Sequence, residues 1–158
     1  MKNKKLTAAR MIMTVLTVAA IAAIFYNSML NADDSTDQST PVTELLNGFL
    51  RSFGFTFSLS EGVVRKLAHF TEYSVLGVLL TTTVYLYTQK RTMTFCISLP
   101  SGVLIAVCDE LIQLGSEGRS CQPLDVLIDG SGILLGALIV IAVISVIEKR
   151  KVKSIPNK

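Results

Sequence analysis

The chain has 158 residues, of which 50% are hydrophobic and 17% are charged, and its formal net charge is +3. Its mean hydropathy of +0.52 indicates a membrane protein, because such apolar chains are rare among soluble domains. No segment of the chain has the composition of a separate soluble domain.

Four stretches are apolar and close to the roughly 20 residues that a helix needs to cross a bilayer. They cover residues 11–30, 67–87, 93–114 and 124–147, and we expect four transmembrane helices. The first stretch follows a basic leader, as in a signal peptide, but its apolar core is too long for one. Leu30 also occupies the position of the small residue that precedes a cleavage site. An uncleaved anchor is therefore favoured.

The segment between the first two predicted spans, residues 31–60, divides into two parts. Residues 31–40 are polar and acidic, which predicts a flexible linker on the outer side. Apolar residues then recur at helical spacing over positions 42–53, with Thr40 as a cap and Pro41 in the first turn. This pattern predicts an amphipathic helix that lies on the outer membrane surface or covers the mouth of the bundle.

The distribution of lysine and arginine predicts the orientation, since segments rich in these residues stay in the cytoplasm. The N-terminal leader, the turn at residues 89–92 and the tail at 148–158 together carry eleven basic residues against Glu148 alone. We therefore expect a multi-pass protein of the cell membrane with both termini in the cytoplasm. The basic tail is interpreted as a topology anchor that attracts anionic lipid, and not as a nucleic-acid-binding segment.

The stretch KLAHFTEY opens the second predicted span and contains the only histidine of the chain. Each residue of a helix turns by about 100°, so Lys66, His69 and Tyr73 share one face and Glu72 flanks it. Gly77 continues this face inward and would let another helix approach closely.

Two further spans bring polar residues to the same level. The third predicted span carries Asp109, Glu110 and Gln113 near its outer end, and Arg119 lies in the loop that follows. The fourth predicted span places four residues on one narrow face, with a GxxxG packing motif at its lower end: Asp125, Asp129, Gly132 and Gly136. We therefore predict a polar site in the outer third of the bundle.

The predicted site carries more acids than bases. An ionisable side chain near the centre of a membrane helix costs about 2.5–3.5 kcal/mol even on a lenient scale, and like charges in a dry pocket cannot all remain ionised. A proton, a divalent cation or a cationic ligand would complete the site. The candidate metal ligands are His69, Glu72, Asp109 and Asp125. Alternatively, these groups cement the helices through buried hydrogen bonds.

The ordered pattern of these residues resembles the VanZ-like membrane proteins of bacteria. The resemblance is carried by Lys66-x-x-His69-x-x-Glu72-Tyr73, Asp109-Glu110-x-x-Gln113, Arg119, and Asp125 with Gly132 and Gly136. It implies a small integral membrane protein, and the named member of that family lowers susceptibility to the lipoglycopeptide teicoplanin. Asp129 stands where the family pattern has an asparagine, which adds negative charge to the site.

Three functions are compatible with this pattern. The first is a binding protein of the cell envelope, whose outward acidic site engages a lipid-linked cell-wall component or a lipoglycopeptide. The second is a metal-assisted hydrolase or transferase that acts on a lipid-linked substrate, with His69, Glu72 and Asp109 as the catalytic candidates. The third is a proton-linked transporter, which with so few helices would require an oligomer.

Overall fold

The computed structural model describes residues 2–30, 32–116 and 123–153, with side chains at positions 3–30, 39–116 and 123–150. Within these ranges the chain forms five helices. They are α1 (Lys2–Ser28), α2 (Ala32–Ser52), α3 (Glu61–Thr88), α4 (Arg91–Gln113) and α5 (Pro123–Lys153). The all-α fold class predicted from the sequence is confirmed.

Three of the described helices are long and apolar enough to cross a membrane. These spans are Asn3–Ser28 in α1, Arg91–Gln113 in α4 and Pro123–Arg150 in α5. The predicted second span lies in α3, which has 28 residues but is more polar, with charges in its first turns and threonine at positions 81–83. A membrane protein is therefore supported, while the crossing by α3 stays a prediction.

α3 occupies the centre of the bundle and packs against α5, α4 and α1. Thr17 in α1 shares a buried hydrogen bond of 2.8 Å with Thr83 near the end of α3. Ser28 at the end of α1 contacts Gln113 at the end of α4. Hence α1 and α4 run in one direction and α3 runs in the other. α5 runs parallel to α3, because Gly132 lies beside Phe70 and Gly136 lies beside Ser74.

Glycine lets the backbones of α3 and α5 come into direct contact. A Cβ atom added at Gly132 would lie 2.6 Å from the carbonyl oxygen of Phe70, and one at Gly77 would lie 2.6 Å from that of Ile133. A Cβ atom at Gly136 would collide with the carbonyl oxygen of Ser74. These glycines form the tight packing that the GxxxG motif provides in membrane helices, and we call this contact the glycine seam.

Unlike a soluble protein, the bundle buries many polar side chains beside its apolar core and exposes many large apolar ones. Its buried core contains Tyr73, Leu76 and Ile133, together with hydroxyl groups such as that of Ser98. Large apolar side chains project outward along the helices, and Leu127 is 68% exposed. Such a surface is suited to contact with lipid chains.

α2 begins earlier than the sequence predicted. The helix starts at Ala32 and contains Pro41, so the prediction of a flexible linker at residues 31–40 is wrong for residues 32–40. Proline removes one helical hydrogen bond and crowds the carbonyl group four residues earlier, but the helix continues through Pro41. α2 packs against α3, and the connection between them is held by Asn47, whose side chain accepts from the Leu59 amide at 2.7 Å. Its predicted position on the outer membrane surface stays a prediction.

Candidate functional site

The polar residues of α3, α4 and α5 meet at one end of the bundle. The side chain of Ser60 accepts a hydrogen bond of 3.4 Å from the Val63 amide and starts α3 at Glu61, which sets His69 in the third turn. Because α4 runs in the opposite direction, its last turns lie beside the first turns of α3 and α5.

The centre of the site consists of His69, Asp109 and Asp129. Each of these residues offers one possible ligand atom, and the three atoms lie within 4.8 Å of one another. Both aspartates are 0% exposed, whereas the His69 side chain is 23% exposed, with its Nδ1 atom 3.9 Å from Oδ1 of Asp129. The histidine therefore forms the accessible wall, and the carboxylates form the buried floor.

The glycine seam explains how Asp129 comes so close to α3. Gly132 lies one turn further along α5, where an added Cβ atom would meet the Cβ atom of Tyr73 at 3.1 Å. Tyr73 is fully buried, and its hydroxyl faces Asp109 without reaching hydrogen-bonding geometry. Close packing at the glycine seam thus places the Asp129 carboxylate next to the face of α3 that carries His69.

Only part of the negative charge is satisfied by hydrogen bonds. Nε2 of Gln113 donates to Oδ2 of Asp109 at 3.2 Å. Among the described residues, no hydrogen bond reaches Oδ1 of Asp109 or either carboxylate oxygen of Asp129. A buried carboxylate without such partners is strongly disfavoured, so this centre calls for a proton or a cation.

The rim of the site holds an ion pair. Nζ of Lys66 lies 3.0 Å from Oδ1 of Asp125, and their side chains are 36% and 25% exposed. Glu110 is buried beside Asp109 on α4, with 2% exposure. Arg119, predicted to belong to the site, lies outside the described residues.

Glu72 borders a separate space between α1, α2 and α3. An open cavity of 560 Å³ has almost entirely apolar walls, and Glu72, Asn27 and Thr71 are its polar lining residues. Glu72 lies within hydrogen-bonding reach of Asn27 and close to Asp109. It therefore connects the acidic centre to the cavity.

α1 contributes polar groups that the sequence analysis missed. Oγ of Ser28 is 3.5 Å from Nε2 of Gln113, and its carbonyl accepts a hydrogen bond of 2.9 Å from Ser116. Asn27 lines the cavity beside Glu72. The signal in the sequence is the polar pair Asn27-Ser28 near the end of an apolar run.

The structure divides the predicted metal ligands. It brings His69 and Asp109 together with Asp129, whereas Asp125 pairs with Lys66 and Glu72 faces the cavity. An imidazole beside two carboxylates can bind a cation, share protons or accept hydrogen bonds from a ligand. The polar groups thus form a buried centre, a rim and the polar part of the cavity wall.

The resemblance to VanZ-like proteins rests on polar residues carried by successive apolar helices and on the glycines between α3 and α5. The model of the VanZ/LLP1 family matches residues 13–145, a range that contains the site and most of the bundle, without the start of α1 and the end of α5. No curated protein and no solved structure matches the chain significantly. The match covers most of the chain, and the protein belongs to the VanZ/LLP1 family.

Proposed function

We propose that this protein binds an amphiphile of the bacterial cell envelope on the outer side of the membrane, and thereby lowers susceptibility to teicoplanin-type antibiotics. The amphiphile is a lipid-linked cell-wall component or the lipoglycopeptide itself. Both ligands join a long apolar chain to a head that is rich in hydrogen-bond donors. The observation that carries the proposal is the cavity of 560 Å³ with Glu72 and Asn27 in its wall.

The walls of the cavity fit the apolar part of such a ligand. They come from α1, α2 and α3, and include Ile24, Leu46 and Val75. Small-molecule sites are typically concave and apolar, with a few polar groups that fix the orientation of the ligand. A single acyl chain in this cavity would be surrounded by apolar side chains on three sides.

The polar end of the cavity selects for the head of the ligand. A carboxylate accepts hydrogen bonds and attracts cations, and Glu72 lies close to a second acid, Asp109. Amine, amide and hydroxyl groups are therefore favoured next to Glu72, whereas a bare phosphate is disfavoured by charge repulsion.

The proposal includes four membrane crossings with both termini in the cytoplasm. Arg10 and Arg91 lie at the end of the bundle opposite to His69, which supports a cytoplasmic position of that end. α3 packs against the other four described helices, so its polar groups are shielded from lipid and it can cross despite its lower hydropathy. α2 then lies on the outer side, where it closes one wall of the cavity.

The test is a thermal unfolding series on the purified full chain in detergent. We expect teicoplanin, or a lipid-linked cell-wall precursor, to stabilise the folded wild type by a free energy of RT ln(1 + [L]/Kd) and so to raise its unfolding midpoint. Deacylated teicoplanin separates the contribution of the chain from that of the head. Glu72→Gln should abolish the shift, and Glu148→Gln at the opposite end should keep it. An equal shift in both variants would contradict the proposal.

A second function, a hydrolase or transferase acting on a lipid-linked envelope substrate, is favoured by the proximity of His69, Asp109 and Asp129. His69 is the most accessible of the three and would act as a general base. The assay would supply a lipid-linked phosphate or sugar together with divalent metal ions. Turnover in the wild type that is lost in His69→Ala supports this function, whereas the absence of product in the wild type excludes it.

A further inference from the structure

We infer that His69, Asp109 and Asp129 bind a divalent transition-metal ion at the buried end of the site. Their ligand atoms come from three different helices and lie within 4.8 Å of one another. The proposed site differs from the set expected from the sequence, because Asp129 replaces both Glu72 and Asp125. It stands independently of any envelope ligand.

An independent observation at Asp129 points to a missing partner. This side chain is completely buried, and within the described part of the chain neither of its oxygens accepts a hydrogen bond. Oδ1 of Asp109, on the facing helix, also lacks such a bond among the described residues. Three buried carboxylate oxygens therefore have unused acceptor capacity, and a cation between the helices would use it.

The charge of the centre favours a cation with more than one positive charge. Two buried carboxylates carry up to two negative charges, and the nearest described lysine, Lys66, is already paired with Asp125 at 3.0 Å. A single shared proton would leave one negative charge in a region from which water is largely excluded. A divalent ion would neutralise both carboxylates and attract each of them.

The ligand types indicate the class of metal. One imidazole and two carboxylates match Zn²⁺ or Mn²⁺ better than Mg²⁺ or Ca²⁺, which prefer oxygen ligands alone. Two ligand atoms on one ion are at most about 4.2 Å apart, since each lies about 2.1 Å from the metal. Binding would thus draw the side chains inward slightly, and His69 at the exposed edge leaves room for a water or a ligand group.

The test measures metal content directly. The full chain is purified in detergent, stripped with a chelator, loaded with Zn²⁺ or Mn²⁺, desalted and analysed by mass spectrometry for metals. We expect about one ion per chain in the wild type and in Glu148→Gln, a carboxylate variant at the opposite end of the bundle. Asp129→Asn and His69→Ala should each lower the affinity at least tenfold.

Thermal unfolding supplies a second readout that needs no variant. At a concentration of metal 100 times its dissociation constant, the midpoint of the wild type should rise by about 5 °C or more. His69→Ala changes a side chain that is 23% exposed, so it should remain folded and lose this metal-dependent rise. The proposal is overturned if the wild type holds no ion above background, or if His69→Ala holds as much as the wild type.

Discussion

The two ends of the bundle hold their charged side chains in opposite ways. At the end opposite to the site, Nε of Arg91 lies 3.0 Å from Oε2 of Glu148, and the same carboxylate accepts a hydrogen bond from Tyr85 at 3.2 Å. These ionic side chains are 48% and 40% exposed. At the site end, Asp129 is fully buried and accepts no hydrogen bond from any described residue.

The charged groups at the two ends therefore differ in whether the chain itself supplies their partners. An exposed and well-paired group such as Glu148 costs little to keep, and its role is complete within the chain. A buried and poorly paired group such as Asp129 lowers stability, and a membrane protein retains such groups chiefly where they bind or react. The comparison therefore supports the choice of the His69 end as the candidate functional site.

The largest expected effect tests the glycine seam, which brings Asp129 to the face of α3 that carries His69. Gly136→Ala would place a Cβ atom against the backbone of Ser74 and 2.6 Å from the Val78 amide, where no side chain can move aside. We expect a loss of about 3 kcal/mol or more in the free energy of unfolding, at the upper end of overpacking effects. Unfolding in detergent, followed by circular dichroism, measures this loss.

Gly130→Ala is the matched control on the same helix. A Cβ atom there would meet only the Val103 side chain at 3.8 Å, which is ordinary van der Waals contact. Alanine is favoured over glycine within a helix by about 1 kcal/mol, so this variant should be neutral or more stable. A similar loss in Gly130→Ala and Gly136→Ala would show that the seam is not the cause.

The second prediction compares one acid from each end in metal-free protein. Asp129→Asn removes a buried charge without hydrogen-bond partners and should raise the free energy of unfolding by about 1 kcal/mol. Glu148→Gln weakens an exposed ion pair and should lower it by up to about 1 kcal/mol. Chemical unfolding in the presence of a chelator gives both values. If Asp129→Asn were the more destabilising change, its carboxylate would be structural cement and the contrast would fail.

The sequence predicted the helices well because apolar runs and helix caps are local signals. The all-α fold and the family were confirmed, and the observed cap of α3, Ser60, is one of the residue types favoured at helix starts. The start of α2 was missed because a polar, acidic segment resembles a linker unless its packing is known. α3 is more polar than the other predicted spans. Its composition alone does not reveal that neighbouring helices pack around its polar residues.

The composition of the site depended on distances that sequence periodicity cannot supply. Periodicity placed Asp125 and Asp129 on one face, but only distances in the folded bundle show that Asp129 belongs to the centre while Asp125 pairs with Lys66 at the rim. The contribution of α1 was missed because Asn27 and Ser28 lie far from the other site residues along the chain. The periodicity of one helix does not indicate which turn of another helix it will contact in the fold.

The smallest expected effect compares the two ion pairs by double-mutant cycles. Both pairs have a contact of 3.0 Å, but Lys66 and Asp125 are less exposed than Arg91 and Glu148. Coupling energies of exposed pairs are about 0.2–1 kcal/mol, and reduced solvent screening should place the Lys66–Asp125 pair at the upper end of that range. The cycles use Lys66→Met with Asp125→Asn, and Arg91→Met with Glu148→Gln, each measured by unfolding. A coupling energy well above 1 kcal/mol for Lys66–Asp125 would mean that this pair holds α3 to α5. Charge pairing would then stabilise both ends of the bundle, and the contrast between the ends would be limited to the buried centre.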